Sequence, residues 1–247
     1  ISGASAVPAS SAQAANTTPI IDYRERFLPI VAQHGMVAGP EQLAAEVGAQ
    51  MLRQGGNAVD AAVATGFALA VTYPRAGNLA GGGFMLIHLA GENRQTLIDY
   101  RETAPAAASR DMFLDAQGNL DHEREYFSLQ AAGVPGTVAG LLYALEKYGT
   151  LSREQVLAPA IALATEGLPV SFGLHYEINA GAGQLRKDPA AAQLFFRADG
   201  STYDIGDTWR QPDLAWTLGA IRDHGKDGFY TGEVARRVDV ERCLPRF

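Results

Sequence analysis

The feature that most constrains this sequence is a glycine-rich turn between a small-residue segment and an apolar run. The turn covers residues 77–83, ends in three consecutive glycines, and is followed directly by the apolar run Phe84–Leu89. A phosphate-binding loop or a dinucleotide fingerprint places its glycines after a strand and before a helix, whereas the order predicted here is reversed. The glycines therefore favour a backbone that passes close to a neighbouring segment, and they argue against nucleotide binding.

The segments before the turn are predicted to be helical. Pro40 marks the start of one helix, with apolar residues following at four-residue spacing. Asn57 is expected to cap a second helix. That helix should stop near Tyr73, because the residue before a proline avoids the helical region.

The segments after the turn mix strands and helices. The run Phe84–Leu89 and residues 96–100 are predicted to form an antiparallel hairpin. Apolar spacing predicts further helices at residues 137–147, Arg153–Glu166 and 213–223. Residues 179–203 are richer in Gly, Asp and Ala and are predicted to be loops with one short helix. This mixture favours an α+β fold over a parallel doubly wound sheet.

Composition and spacing argue against several classes of function. The chain has 20 basic and 27 acidic residues, a net charge of −7 and no basic run, so we expect no nucleic-acid partner. Its single cysteine, Cys243, cannot form an internal disulfide framework, and its five histidines lack metal-ligand spacing. No apolar stretch approaches the length of about 20 residues that a membrane span needs. We therefore expect no metal, no cofactor and no membrane span.

Both ends of the chain differ in character from the middle. Residues 1–18 are uncharged and rich in Ala and Ser, and Ala12-Gln13-Ala14 fits the pattern that signal peptidase accepts. We therefore expect residues 1–19 to be the remnant of a signal peptide and the protein to be periplasmic or secreted; a plain disordered leader is the alternative. Residues 20–237 are expected to form the main portion and residues 238–247 an atypical tail.

One charged cluster suggests a binding site. Asp99-Tyr100-Arg101-Glu102 comes at the end of the second hairpin strand, where alternation puts Asp99 and Arg101 on one face and the other two on the opposite face. An arginine at this position can hold a substrate carboxylate through two parallel hydrogen bonds. The alternative is a structural ion pair of Arg101 with Asp99 or Glu102, and the residues alone leave both interpretations open.

Several ordered motifs resemble gamma-glutamyltransferases (gamma-glutamyltranspeptidases, glutathione hydrolases). They span roughly residues 30–235 and include GMVA at 35–38, GGNAVDAAVA at 55–64, AGNLAGGGFM at 76–85, DYRETAP at 99–105, RDMF at 110–113, GVPGTVAG at 133–140, LAPA at 157–160 and DGFYTG at 227–232. The resemblance implies the large-subunit portion of an N-terminal nucleophile hydrolase with a four-layer αββα sandwich, only partly covered by this chain.

The resemblance also implies a mechanism and a partner. The precursor cleaves itself, and a threonine at the start of the small subunit takes the gamma-glutamyl group as an acyl-enzyme before passing it to water or an amino acid. That threonine lies outside this chain, so we assign no catalytic residue here. Arg101 is implied to bind the alpha-carboxylate of the glutamyl group, and Glu102 belongs to the same motif. The expected partners are the small-subunit chain and a small gamma-glutamyl or glutaryl substrate.

Two alternatives stay open. Some members of the superfamily are cephalosporin acylases whose substrates carry a glutaryl side chain. Arg101 would bind a carboxylate of a glutaryl or of a gamma-glutamyl substrate. A truncated, non-catalytic remnant or binding domain is the other alternative, since it would retain Arg101 without a nucleophile.

We expect this chain to be poorly soluble or to oligomerise when it is expressed alone. A sheet that normally draws strands from both subunits would expose unpaired edges, which promote association. Size-exclusion chromatography with light scattering tests this expectation. A monodisperse monomer that melts cooperatively would contradict it.

Overall fold

The computed structural model describes residues 31–239, and the predicted leader at residues 1–19 and residues 240–247 of the predicted tail lie outside them. The chain divides after His34 into two units, and residues 35–239 belong to the second of them. Every helix and strand given below belongs to the second unit. Within residues 31–239, none of the helices is both long and apolar enough to cross a membrane.

The second unit combines helices with two short antiparallel sheets, so the predicted α+β class is confirmed. The helices are α1 (Gln42–Arg53), α2 (Ala58–Thr72), α3 (His122–Phe127), α4 (Thr137–Tyr148), α5 (Arg153–Glu166), α6 (Phe172–Leu185), α7 (Pro189–Phe195), α8 (Pro212–His224), α9 (Asp227–Tyr230) and α10 (Gly232–Asp239). The strands are β1 (Phe84–Leu89) paired with β2 (Arg94–Asp99), and β3 (Leu168–Pro169) paired with β4 (Thr208–Trp209).

Helices α1 and α2 form a closely packed pair at the start of the core. The predicted cap of α2 is confirmed, since the Asn57 side chain accepts from the backbone of Val59 and Asp60. Gly48 of α1 faces α2 so closely that an added Cβ would lie 3.1 Å from the Ala61 carbonyl oxygen. Small residues at such positions let two helix backbones approach each other, and α2 is buried along most of its length.

A buried carboxylate joins the start of α2 to the loop between α4 and α5. Asp60 is fully buried and accepts hydrogen bonds from Asn57 N (2.7 Å), Thr150 Oγ1 (2.7 Å), Thr150 N (2.9 Å) and Leu151 N (3.1 Å). Burial alone would raise the pKa of this carboxyl, but the hydrogen bonds from Thr150, Leu151 and Asn57 outweigh it and hold the pKa below its ordinary value. Asp60 therefore stabilises the fold as a charged group.

The predicted hairpin is confirmed, with a second strand that begins at Arg94. Asn93 adopts a left-handed conformation (φ 47°) directly before it and sets the turn. The register pairs Leu86 with Leu97, so both lie on the same face of the sheet. Ile87 and Ile98 face the helices and are buried.

The opposite side of the hairpin carries large apolar side chains in contact with solvent. Phe84, Leu86 and Leu97 are exposed by 56%, 70% and 59% respectively. We call these three side chains the apolar hairpin face. Exposed apolar clusters of this kind are typical of surfaces that another segment or chain covers.

Helix α5 packs against α2, and α8 packs against α5. Trp209, in β4 just before α8, is fully buried, and its indole N–H donates to the Leu194 carbonyl oxygen at 2.9 Å. The buried Gln211 amide donates to the Val71 carbonyl oxygen at 2.7 Å and so ties the start of α8 to the end of α2. These links fix the helical layer on which the hairpin rests.

The prediction for residues 179–203 is wrong in its first half. Helix α6 runs through Gly181 and Gly183 to Leu185, and α7 follows after a short connection. The Ser171 side chain caps α6, and the burial of Leu174 and Ile178 outweighs the low helical propensity of the two glycines.

We expect Asp60→Asn to lower the free energy of unfolding of the complete protein by about 2–4 kcal/mol at pH 7, because an amide cannot accept from all these donors. The folded-state pKa lies below that of the unfolded chain, so the stabilisation is present above about pH 4 and is lost as the pH falls through the folded pKa.

Chemical denaturation across this pH range measures the effect. The difference in free energy of unfolding between wild type and Asp60→Asn should become smaller as the pH falls below about 4. Asp111→Asn, at an exposed carboxylate, serves as the control and should have little effect. Equal losses for the two variants would contradict the assignment.

Candidate functional site

The glycine turn at residues 77–83 joins the hairpin to the start of α4. Gly83 and Tyr100 exchange backbone hydrogen bonds (2.9 and 3.3 Å), which continue the hairpin beyond its assigned strands. The Gly81 carbonyl oxygen accepts from the backbone N–H groups of Gly136 (2.8 Å) and Thr137 (3.0 Å). The turn therefore passes close to two neighbouring segments, as the sequence predicts.

Tyr100 lies against three glycines, whose lack of side chains leaves room for it. An added Cβ at Gly136 would overlap the Tyr100 carbonyl oxygen, and one at Gly140 would overlap its ring. A Cβ at Gly83 would lie 3.1 Å from the same ring on the other side. Burial raises the pKa of the Tyr100 phenol, which therefore stays neutral at physiological pH. The end of β2 is thus anchored to α4 through one side chain.

Glu102 also lies close to glycines, namely Gly82 of the turn and Gly133 before α4. A Cβ at Gly82 would overlap its carboxylate, and one at Gly133 would lie 3.1 Å from its Cβ and Cγ. The next residue, Thr103, accepts a hydrogen bond from Val134 N at 2.8 Å. Glu102 is therefore held between the turn and the segment before α4.

Arg101 lies between Tyr100 and Glu102, just beyond the end of β2. Its side chain is exposed, and its backbone N–H donates to Asp99 Oδ1 at 3.0 Å. No ion pair joins the Arg101 guanidinium to Asp99 or Glu102, or to any other carboxylate of residues 31–239. The structural ion pair that was the alternative interpretation is not found.

Tyr230 is a supporting residue that the sequence reasoning missed. Its hydroxyl donates to the Pro135 carbonyl oxygen (2.9 Å) and accepts from Ala139 N (3.2 Å), so it fixes the entry to α4. Burial raises the pKa of this phenol. The only sequence signal was its place in the motif at 227–232, because the contact spans more than ninety residues.

The site offers a guanidinium and backbone groups, with no arrangement suited to a metal. Among residues 31–239, no cluster of three or more His, Cys, Asp or Glu side chains is placed to hold a metal ion. An arginine whose backbone is held at the end of a strand can bind an anion, and a carboxylate matches the planar geometry of the guanidinium best.

Comparison with known proteins identifies the family. A sequence model of the gamma-glutamyltranspeptidase family matches residues 44–241. The chain belongs to this family. It is 45% identical over 234 residues to the glutathione hydrolase proenzyme of Escherichia coli, a match that covers 94% of the chain. The crystal structure of Helicobacter pylori gamma-glutamyltranspeptidase superposes with a TM-score of 0.84 at 42% identity, covering 86% of this chain and 61% of that one.

The match covers only part of the curated relatives. The chain spans 40% of the length of the Escherichia coli glutathione hydrolase proenzyme. An acylase proenzyme of Pseudomonas sp. strain SE83, named ACY 1, is 36% identical over 89% of this chain and 40% of its own length. The glutathione hydrolase is thus the closer of these two relatives.

We expect Gly140→Ala to destabilise the complete protein by about 1–3 kcal/mol, because the new methyl group overlaps the Tyr100 ring. Gly219→Ala in α8 is the matched control: nothing lies within 4 Å of its added Cβ, and the change should stabilise by about 0.5–1 kcal/mol.

Denaturation of the single variants, and of Gly140→Ala combined with Tyr100→Gly, measures this coupling, because the added Cβ would overlap both the ring and the Cβ of Tyr100. The penalty should shrink in the double variant. A penalty that persists without the ring would contradict the proposed contact.

Proposed function

We propose that this chain is the large-subunit portion of a gamma-glutamyltransferase. The complete protein cleaves gamma-glutamyl amides such as glutathione and transfers the glutamyl group to water or to an amino acid. A threonine outside this chain forms the acyl-enzyme, after the precursor has cleaved itself into two subunits. Family membership and the names of the relatives at 45% and 42% identity support this proposal.

The exposed Arg101 guanidinium is the observation that carries the proposal. The Arg101 backbone N–H donates to Asp99, Tyr100 exchanges backbone hydrogen bonds with Gly83, and Thr103 forms a bridge with Val134. The Cα of Arg101 is therefore held in place. The guanidinium has no carboxylate partner among the described residues and is available to a substrate. We assign it to the alpha-carboxylate of the glutamyl group, which it would bind through two charge-assisted hydrogen bonds.

Glu102 contributes to the same substrate site by positioning. Its side chain lies on the glycine side of the strand end, away from Arg101, and packs against Gly82 and Gly133. Asp99 shares the face of Arg101, but its carboxylate accepts the backbone N–H of Arg101. Glu102 lies beside Gly82 and Gly133 and supports the turn that holds the strand end.

The apolar hairpin face is the proposed contact with the partner subunit. Phe84 pairs with Asp99 in the register, so this surface reaches the strand end that carries Arg101. Strands of the small subunit would cover the three side chains and build the αββα sandwich of an N-terminal nucleophile hydrolase. The A-x-A triplet at residues 12–14 supports export, so the complete protein would be periplasmic or secreted.

A glutaryl-cephalosporin acylase is the second candidate, favoured by the relative at 36% identity. A glutaryl group has the distal carbonyl of the glutamyl group but lacks the alpha-amino group. Rates with gamma-glutamyl-4-nitroanilide and glutaryl-4-nitroanilide separate the two. The proposed function requires faster release from the first substrate, and a non-catalytic remnant would release nitroaniline from neither.

We expect Arg101→Ala in the complete enzyme to raise KM for gamma-glutamyl-4-nitroanilide by about 100-fold, because two hydrogen bonds to a charged group are lost. The KM of Arg101→Lys should lie between those of the wild type and Arg101→Ala, since an ammonium group keeps the charge but loses the planar pair of hydrogen-bond donors. Steady-state kinetics measures both.

Arg94→Ala is the matched control. Arg94 lies at the other end of the same strand and pairs with Glu92 on the surface. Its loss should leave KM unchanged. An unchanged KM for Arg101→Ala would overturn the assignment of Arg101.

A further inference from the structure

The side chain of Asp99 holds the backbone of Arg101. Asp99 is the last residue of β2, pairs with Phe84 in the register and is exposed. Its Oδ1 accepts the backbone N–H of Arg101 at 3.0 Å. A carboxylate that accepts from the residue two positions ahead closes a tight local turn. Asp99 therefore acts on the residue of this strand end that we assign to the substrate.

The peptide group between Tyr100 and Arg101 is held at both of its ends. The Tyr100 carbonyl oxygen accepts from Gly83 N at 3.3 Å, and the Arg101 N–H donates to Asp99 at 3.0 Å. The C=O and N–H groups of a planar trans peptide point in opposite directions, so these two bonds hold it from opposite sides. Together they fix the orientation of the peptide that leads into the Cα of Arg101.

No described strand offers the Arg101 N–H another acceptor. Because the Tyr100 carbonyl group faces β1, the Arg101 N–H points away from β1. Within residues 31–239, the sheet of β1 and β2 has no third strand, and Asp99 is the only acceptor of this N–H. Without the Asp99 carboxylate, the peptide would be held at one end only.

The contact depends on an oxygen atom of Asp99 and not on its charge. In the described part of the chain, the Asp99 carboxylate forms no ion pair, with Arg101 or with any other cation. Asparagine has nearly the same shape, and its amide oxygen can accept the same N–H. The two residue types should therefore hold the Arg101 backbone alike.

We propose that Asp99 is a positioning residue for substrate binding: by accepting the backbone N–H of Arg101, it sets the direction in which the guanidinium leaves the strand end. This inference rests on the proposed function, in which Arg101 binds the alpha-carboxylate of the glutamyl group. A side chain that is oriented before binding loses less conformational freedom when the substrate arrives. Asp99 need not touch the substrate for this effect.

We expect Asp99→Ala in the complete enzyme to raise KM for gamma-glutamyl-4-nitroanilide about three- to tenfold, as one lost hydrogen bond would, and to leave kcat unchanged. The alpha-carboxylate is bound alike in the ground state and the transition state, so weaker binding appears in KM. Partial unfolding would instead lower kcat at constant KM, and steady-state kinetics separates the two. Asp99→Asn keeps the acceptor oxygen and should retain the wild-type KM.

A double variant tests whether Asp99 acts through Arg101. In Arg101→Ala the guanidinium is absent, so the addition of Asp99→Ala should raise KM no further. Asp199→Ala is the matched control, because Asp199 Oδ1 accepts Ser201 N at 2.9 Å, also two positions ahead, in the segment between α7 and β4. This control should leave KM unchanged.

Three results would overturn this inference alone, provided that Arg101→Ala raises KM as expected. They are an unchanged KM in Asp99→Ala, a rise in Asp99→Asn equal to that in Asp99→Ala, and a further rise in the double variant. An inactive wild-type enzyme, or an unchanged KM in Arg101→Ala, would overturn the proposed function and this inference with it. Kinetics of the same set of variants thus distinguishes the two failures.

Discussion

The close contact of Tyr100 with α4 determines how the strand end that carries Arg101 is held in the candidate site. A tyrosine ring can lie this near a helix only where the facing positions have no side chain, and Gly136 and Gly140 supply them. The Gly81 carbonyl oxygen occupies the first N–H groups of α4 and so caps the helix that the ring rests on. Because side chains alternate along a strand, the position of the Tyr100 ring against α4 predicts that the Arg101 side chain lies on the opposite face.

Local rules in the sequence account for most of the elements around this contact. Asn57 and Ser152 cap their helices through paired side-chain and backbone hydrogen bonds, which the sequence encodes within four residues. The hairpin likewise follows from two apolar runs and a short turn. Helix α6 escaped prediction because its glycines argue locally for a loop, whereas its formation depends on burying Leu174 and Ile178 against distant residues.

The candidate site also shows that local sequence patterns do not predict contacts between distant residues. Alternation predicts that Arg101 and Asp99 share a face, but it does not choose between a substrate ligand and an ion pair of Arg101 with Asp99 or Glu102. In the structure neither carboxylate pairs with the guanidinium: Asp99 accepts the backbone N–H of Arg101, and Glu102 lies beside Gly82 and Gly133. Nothing near Tyr230 except its place in the motif at 227–232 pointed to its contact with Pro135 and Ala139, since these partners are far apart from it in the sequence.

The position of Arg101 beside the apolar hairpin face has a physical consequence for substrate binding. An exposed guanidinium attracts a carboxylate only weakly, because water screens the charges and solvates each of them well. The same pair becomes several times stronger when a neighbouring surface excludes water. Phe84, Leu86 and Leu97 offer such a surface a place to dock, next to the strand end. Under the proposed function, the partner subunit would therefore do more than supply the nucleophile: by covering the apolar hairpin face it would also exclude water from the carboxylate that Arg101 is proposed to bind.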